Sequence, residues 1–193
     1  MHPTVLIVPG LRDAVPDHWQ SLLAQRLPDA HSVPAMGRLD LDCQARVRAI
    51  EQAVSGIEGP VQLVAHSGGC IMVAHWALVS SQSHRVHSAL LATPPDFETP
   101  MPPGYPSLDE LGRAGWLPVP RQRLPFRSLV AASRNDPLGG LGRISDLAAV
   151  WGSEWLDLGE VGHLNPASGF GDWPQVLTLL EQLRTGPAAL CGL

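Results

Sequence analysis

Short apolar runs recur along the chain, each closed by glycine, proline or a small polar residue, and most are followed by a stretch with helical spacing. Val5-Leu6-Ile7-Val8 stops at Pro9-Gly10 and has no polar alternation, so it reads as a strand covered on both faces. Asp17 is the expected N-cap of a helix carrying Trp19, Leu22, Leu23 and Leu27, and Pro28 is expected to end it. A short strand is expected near His31 to Val33. A second helix after Asp40 carries Val47, Ile50 and Val54. Val61 to Ala65 is the next strand, followed by a helix from about Gly69 to Val79 with Ile71, Val73, Ala74 and Leu78 available for packing. Val86 to Ala92 and Arg127 to Ala132 read as strands, Leu141 to Val150 as a helix and Glu154 to Leu158 as a last strand. A final helix is expected from around Asp172-Trp173-Pro174 to Leu183, with a loose tail after Gly186.

Between Thr93 and Pro125 the pattern breaks. Pro94, Pro95, Pro100, Pro102, Pro103, Pro106, Pro118, Pro120 and Pro125 leave little room for regular structure. A loop this long inside a compact domain is usually functional or disordered, and this one is read as a short cap within a single domain spanning residues 1–193. Elsewhere strand and helix alternate. That order predicts an α/β fold, mainly a parallel sheet with helices on both faces and right-handed crossovers. In such sheets ligands bind beyond the carboxyl ends of the strands. The loops that matter are therefore those after Val8, Ala65, Ala92, Ala132 and Leu158.

Composition narrows the classes. At 193 residues with 45% apolar content, the chain can bury a core without disulfides or metals. A net charge of −5, no lysine and scattered arginines argue against a nucleic-acid surface. The cysteines, Cys43, Cys70 and Cys191, are odd in number and widely spaced, which suits a reducing compartment better than a disulfide framework or a zinc site. The N-terminus lacks the basic and cleavage features of a signal peptide, and no apolar run approaches the ~18 residues of a membrane span. A cytoplasmic protein without cofactor, metal, nucleic acid, membrane or specific protein partner is expected.

The loop after the third strand carries the chemistry. Ala65-His66-Ser67-Gly68-Gly69 matches the small-x-Ser-x-Gly nucleophile elbow, with alanine in place of the usual first glycine. The small flanking residues let the strand turn sharply into the helix, with Ser67 strained at the tip. A serine hydroxyl needs a base, and of the eight histidines His163 lies in the loop after the last strand, behind Gly162. His2, His31, His84 and His87 read as surface residues and His75 as packed or exposed on its helix. The side chain of His66 is expected to point away from the turn. Asp136, in Ser133-Arg134-Asn135-Asp136-Pro137, follows the strand ending at Ala132 and would orient His163. Asp157 and Glu160 are rival acids nearer the histidine. Backbone N–H groups of Gly68 and Leu11, with Arg12 as the neighbouring alternative to Leu11, are the candidate donors to an oxyanion. Leu11, Trp116 and Leu138 are candidate pocket walls. Arg12 is a candidate for a substrate carboxylate, although solvation is the commoner fate of such a side chain.

Taken in order, Val5-Leu6-Ile7-Val8-Pro9-Gly10, His18-Trp19, Val64-Ala65-His66-Ser67, Ser133-Arg134-Asn135-Asp136-Pro137, Gly162-His163-Leu164-Asn165, Ser168-Gly169 and Asp172-Trp173-Pro174 resemble the small serine hydrolases of the YdeN-like type. That family also includes the retinoblastoma-binding protein nine. The resemblance runs from about Val5 to Leu183. It implies a compact α/β-hydrolase fold lacking some antiparallel edge strands, a catalytic triad of Ser67, Asp136 and His163, and esterase activity on small acyl esters. The Leu-x-Cys-x-Glu motif of one relative is absent, so its protein partner is not carried over. Two functions remain open at this stage: hydrolysis of a small-molecule ester or amide through an acyl-enzyme, and a non-catalytic binding module on a hydrolase fold.

Overall fold

The computed structural model describes residues 2–12, 15–34, 36–37 and 40–185. The expected loose tail after Gly186, and Cys191 with it, lie outside the described residues. Six strands form one sheet: β1 (Thr4–Val8), β2 (His31–Ser32), β3 (Val61–His66), β4 (Val86–Ala92), β5 (Arg127–Ala132) and β6 (Glu154–Asp157). Their order is β2-β1-β3-β4-β5-β6, and every pairing is parallel. The helices are α1 (Trp19–Arg26), α2 (Cys43–Ser55), α3 (Gly68–Val79), α4 (Leu108–Arg113), α5 (Leu141–Trp151) and α6 (Gln175–Thr185).

The continuous apolar strands are explained by this layering. Along β1, Leu6 and Val8 face the α2–α3–α5 side, whereas Val5 and Ile7 face α1 and α6. The two-residue strand period thus sends alternate side chains into two separate cores, and a polar residue in a central strand needs a partner on either side. Gln62 in β3 shows the rule. It is fully buried and donates from Nε2 to Ser88 Oγ (3.1 Å) and Leu180 O (3.0 Å), while its Oε1 accepts from Arg184 Nε (2.9 Å).

Helix starts differ from expectation in one instructive place. The N-cap of α1 is His18, not Asp17: the imidazole Nδ1 accepts from Gln20 N at 3.2 Å. Asp42 caps α2 through Ala45 N. The Pro-rich stretch contains one short helix, α4, started by a reciprocal capping box between Ser107 and Glu110. The rest of that stretch is irregular, yet Phe97, Leu111, Trp116, Val119 and Leu124 are buried in the α2–α3–α5 core. It is therefore packed chain over much of its length. Among the described residues no helix is long and apolar enough to cross a membrane.

Strand order reverses between β1 and β3: the chain leaves β1 toward β2 and returns to the other side for β3. A crevice opens at the carboxyl ends of two such strands because their following loops diverge. Gln20 holds the two strands together there, its Nε2 donating to Val8 O (3.2 Å) and Val64 O (3.0 Å).

Candidate active site

Ser67 sits at the tip of the turn from β3 into α3 with φ 56° and ψ −134°. For a residue with a Cβ this backbone is strained, at a cost on the order of 1–3 kcal/mol, and the packing around it must hold it there. Gly69 explains how. A Cβ on Gly69 would lie 2.5 Å from Val8 O and 2.7 Å from Pro9 O, so the start of α3 can press against the end of β1 only without a side chain. On Gly68 a Cβ would come within 2.8 Å of Leu11 Cγ and 3.5 Å of Leu11 N. The loop after β1 therefore lies directly against the elbow. Gly68 opens α3, so its N–H has no acceptor within the helix.

The three candidate side chains meet. Ser67 Oγ lies 2.8 Å from His163 Nε2, and His163 Nδ1 lies 2.8 Å from Asp136 Oδ2 and 3.0 Å from Oδ1. The histidine and aspartate side chains are only 4% and 3% exposed, so water does not compete for these bonds. Asp136 Oδ1 also accepts from Leu138 N at 2.9 Å, which aims the carboxylate. The rival acids are elsewhere. Asp157 accepts from Arg134 Nε (2.8 Å) and Gly159 N (2.8 Å) on the surface, and these bonds hold its carboxyl below the usual range. Glu160 is exposed in the loop beyond β6.

Several residues to which the sequence assigned no positioning role hold His163. Its N–H donates to Ser168 Oγ at 3.0 Å, and its carbonyl accepts from His66 Nε2 at 2.9 Å and from Thr93 Oγ1 at 3.4 Å. Gly162 precedes it at φ 56°, and a Cβ there would lie 2.6 Å from Ser168 Oγ. Asn135 Oδ1 accepts from Gly162 N (2.7 Å), and Ser133 Oγ accepts from Val161 N (3.2 Å). The segment before Asp136 thus clamps the loop that carries His163. Apart from the bond to Ser168, five positions away, these contacts cross 27 or more positions of chain, which is why no local spacing reveals them.

His66 is buried beside the elbow. Strand alternation puts it on the same face as Val64, so its ring turns inward and is buried. Three imidazoles stand in succession, His18 to His66 at 4.7 Å and His66 to His163 at 5.0 Å between ring centroids. Burial, then a charge on His163, pushes the His66 pKa well below its ordinary value, and the same causes bring His18 to about 4 despite Asp17. Both rings are therefore neutral at physiological pH.

A cavity of about 510 Å³ opens over Ser67. Leu11, Phe97, Met101 and Leu138 give it apolar walls, and among the described residues no carboxylate lines it. Arg12 reaches its rim, but the guanidinium lies 4.1 Å over the Tyr105 ring and donates to Gly104 O at 3.0 Å. It ties the loop after β1 to the Pro-rich segment. Trp116 is not a wall of this cavity. It is fully buried behind Phe97, with Nε1 donating to Leu41 O at 2.7 Å and its carbonyl bonded to His75 Nε2 at 3.0 Å. An indole with its N–H satisfied in the core has no face left for a ligand.

A hydroxyl bonded to an imidazole whose other nitrogen faces a buried carboxylate can lose its proton as it attacks an electrophile. Comparison with known proteins supports a hydrolase. The serine hydrolase family model matches residues 5–182. A YdeN-like hydrolase of Pectobacterium atrosepticum is similar at 29% identity and TM-score 0.79, over 94% of this chain and 90% of that one. The ydeN product of Bacillus subtilis shares the fold at 19% identity and TM-score 0.75, over 96% and 100%. The Bacillus cereus carboxylesterase does so at 14% identity and TM-score 0.54, over 95% and 88%. None of the curated proteins matches the chain significantly.

Proposed function

The chain belongs to the serine hydrolase family, and we propose that it cleaves small carboxylic esters through an acyl-enzyme, with Ser67 as nucleophile, His163 as general base and Asp136 as the orienting acid. The observation that carries this reading is the unbroken path from Ser67 Oγ through His163 to Asp136, each contact 2.8 Å, at the floor of an apolar cavity. Ser67 Oγ attacks the ester carbonyl carbon while its proton passes to His163 Nε2. The oxyanion takes hydrogen bonds from the N–H groups of Gly68 and Leu11. The tetrahedral intermediate collapses, the alkoxide leaves with the proton held by His163, and water repeats the sequence on the acyl-serine. Asp136 keeps the proton of the neutral ring on Nδ1, so that Nε2 is free to accept.

The cavity supports a small substrate. A volume of about 510 Å³ with largely apolar walls suits a short acyl group, and none of the described residues lining it is a carboxylate that would oppose the developing negative charge. Leu138 and Leu11 are read as acyl contacts, and Arg12 as a rim residue within reach of an anionic group on the substrate.

A fluorophosphonate probe tests the reading, because only an activated serine reacts. The wild-type chain should be labelled and should hydrolyse p-nitrophenyl esters of short acids, and Ser67→Ala should lose both with an unchanged circular dichroism spectrum. Loss of a triad nucleophile typically costs on the order of 10⁶ in kcat. A wild-type chain that neither reacts nor turns over any ester would make this a binding module on a hydrolase fold.

A further inference from the structure

The candidate cavity has two unlike sides. In the sheet β3 lies between β1 and β4, so Ser67 divides the opening. Residues beyond β4 and β5 line one side: Pro95, Phe97, Met101 and Leu138, with Tyr105 as the one polar side chain. Residues between β1 and α1, on α1, and at or just after the end of β2 line the other: Val15, His18, Ser21, Ala24, Ser32 and Pro34. Asn165 and Ala167, from the loop that carries His163, join the lining.

The leaving group of an ester must collect its proton from His163 Nε2. His163, His66 and His18 stand in one file, which places the α1 side of the cavity on the histidine's side of Ser67. The alcohol portion of the substrate belongs there, and the acyl portion belongs against Phe97, Met101 and Leu138.

His18 is built as a donor toward that space. Its Nδ1 is committed as the N-cap acceptor for Gln20 N. A neutral imidazole that accepts at Nδ1 carries its proton on Nε2. The Nε2–H has no acceptor among the described residues, and the ring lines the cavity. Ser21 Oγ, its neighbour on α1, is already donating to Val15 O at 2.8 Å. Burial keeps the ring neutral and the donor in place across the physiological range.

We propose that His18 is a specificity-determining residue whose Nε2–H donates to a second oxygen in the alcohol portion of the substrate, so that the preferred substrates are esters of short alcohols bearing an ether, hydroxyl or carbonyl oxygen. This rests on the serine-esterase reading of the same site. A hydroxyl at that place on the substrate would serve through its lone pairs, and an ether does so without a competing donor.

Two nearly isosteric esters test it. n-Butyl hexanoate and 2-methoxyethyl hexanoate differ by one CH₂ replaced with oxygen. The ratio of kcat/KM for methoxyethyl over butyl, divided by the same ratio for hydroxide-driven hydrolysis, removes the intrinsic reactivity of the two alcohols. The wild-type protein should show a corrected ratio of roughly three to ten, the range of one net hydrogen bond. His18→Asn retains an N-cap acceptor for α1 without the reach of Nε2, and His18→Phe retains a ring without either nitrogen. In both, checked for an intact fold by circular dichroism, the corrected ratio should fall to about one. A corrected ratio unchanged in either folded variant overturns the proposal. So does a wild-type protein labelled at Ser67 that does not hydrolyse the methoxyethyl ester, and that outcome leaves the esterase reading standing. Absence of both labelling and turnover overturns the two together.

Discussion

Asp136→Asn isolates the part of the site on which the serine mechanism depends most. The substitution is nearly isosteric, and the side chain it alters is 3% exposed, so no water enters to compensate. Two contacts change. Leu138 N can still donate to the remaining amide oxygen, which in the native protein is the Oδ1 position at 2.9 Å. The amide nitrogen then falls at the Oδ2 position, 2.8 Å from His163 Nδ1. Two N–H groups cannot face each other at that distance, so the ring must place its proton on Nε2 and present a bare Nδ1. The nitrogen facing Ser67 Oγ, at 2.8 Å, then holds a proton and cannot accept one. A loss in kcat of about 10⁴ is expected from a wrong tautomer of this kind, equivalent to about 5.5 kcal/mol in the barrier. Stability should change little, because the bond to Leu138 survives. Asp157→Asn is the matched control: its carboxylate pairs with Arg134 on the surface, an interaction worth ~1 kcal/mol or less, and it makes no bond to His163. Initial rates on p-nitrophenyl butyrate, fluorophosphonate labelling and a thermal melt for each variant form the assay. Turnover by folded Asp136→Asn within tenfold of wild type, or greater damage from Asp157→Asn, would refute the assignment of the acid.

Two further predictions concern the frame around the site. Gly69→Ala forces a Cβ to within 2.5 Å of Val8 O, and backbone on both sides cannot give way. A loss of about 3 kcal/mol, or roughly 6–12 °C in Tm, is expected, whereas Gly140→Ala meets nothing within 4 Å and should melt like wild type. A Gly69→Ala protein that melts with wild type would show that the loop after β1 is not pressed on the elbow. The buried histidines predict the pH dependence of stability. His66 and His18 have folded pKa values depressed below the ordinary 6.5, so below that pH the unfolded chain binds protons that the folded chain refuses. Stability should therefore be level above pH ~6.5 and fall as pH drops toward 5, by up to ~1.4 kcal/mol per pH unit for each ring. Urea unfolding at pH 7.5, 6 and 5 measures it. His66→Phe should flatten the slope, and an unfolding free energy that stays level from pH 7.5 to 5 would contradict the burial argument.

What was legible in the amino-acid pattern, and what was not, divides along physical lines. The strands Val86–Ala92 and Arg127–Ala132 were readable to the residue because each carries an apolar run, Ala89 to Ala92 and Leu129 to Ala132, that ends where a polar or proline-rich loop begins. The same property located the loops at the carboxyl edge, so Ser67, Asp136 and His163 could be brought to one place from chain order alone. Their hydrogen bonds are a fact of the fold, while their roles rest with the mutants above. The N-cap of α1 was misplaced by one residue because Asp17 is the better capping type by propensity. The register of α1 against the elbow instead puts the His18 ring over its first turn. Trp116 was misread for a related reason. A tryptophan among prolines looks like loop lining, and nothing local says that its N–H finds Leu41 O, 75 positions earlier in the chain.

The residues whose positioning roles went unread share one property, which explains why a triad motif alone is a poor guide to how a site is held. Gln20, Ser133, Asn135 and Ser168 all act on backbone groups: Val8 O and Val64 O, Val161 N, Gly162 N, and His163 N. A side chain that binds backbone leaves no complementary residue type at the other end, so no pair of letters signals it. Yet these bonds set the spacings on which the chemistry depends. Gln20 bridges the strand that delivers Leu11 to the strand that delivers Ser67. Asn135, one residue before the acid, binds the residue just before the base, so the Asp136–His163 distance is fixed by backbone on both sides of that contact. Asp136 and His163 are therefore positioned in part by sequence neighbours, Ser133 and Asn135, whose own bonds are long-range. Substitutions at Gln20 or Asn135 would act through geometry and would leave the titrating groups as they are.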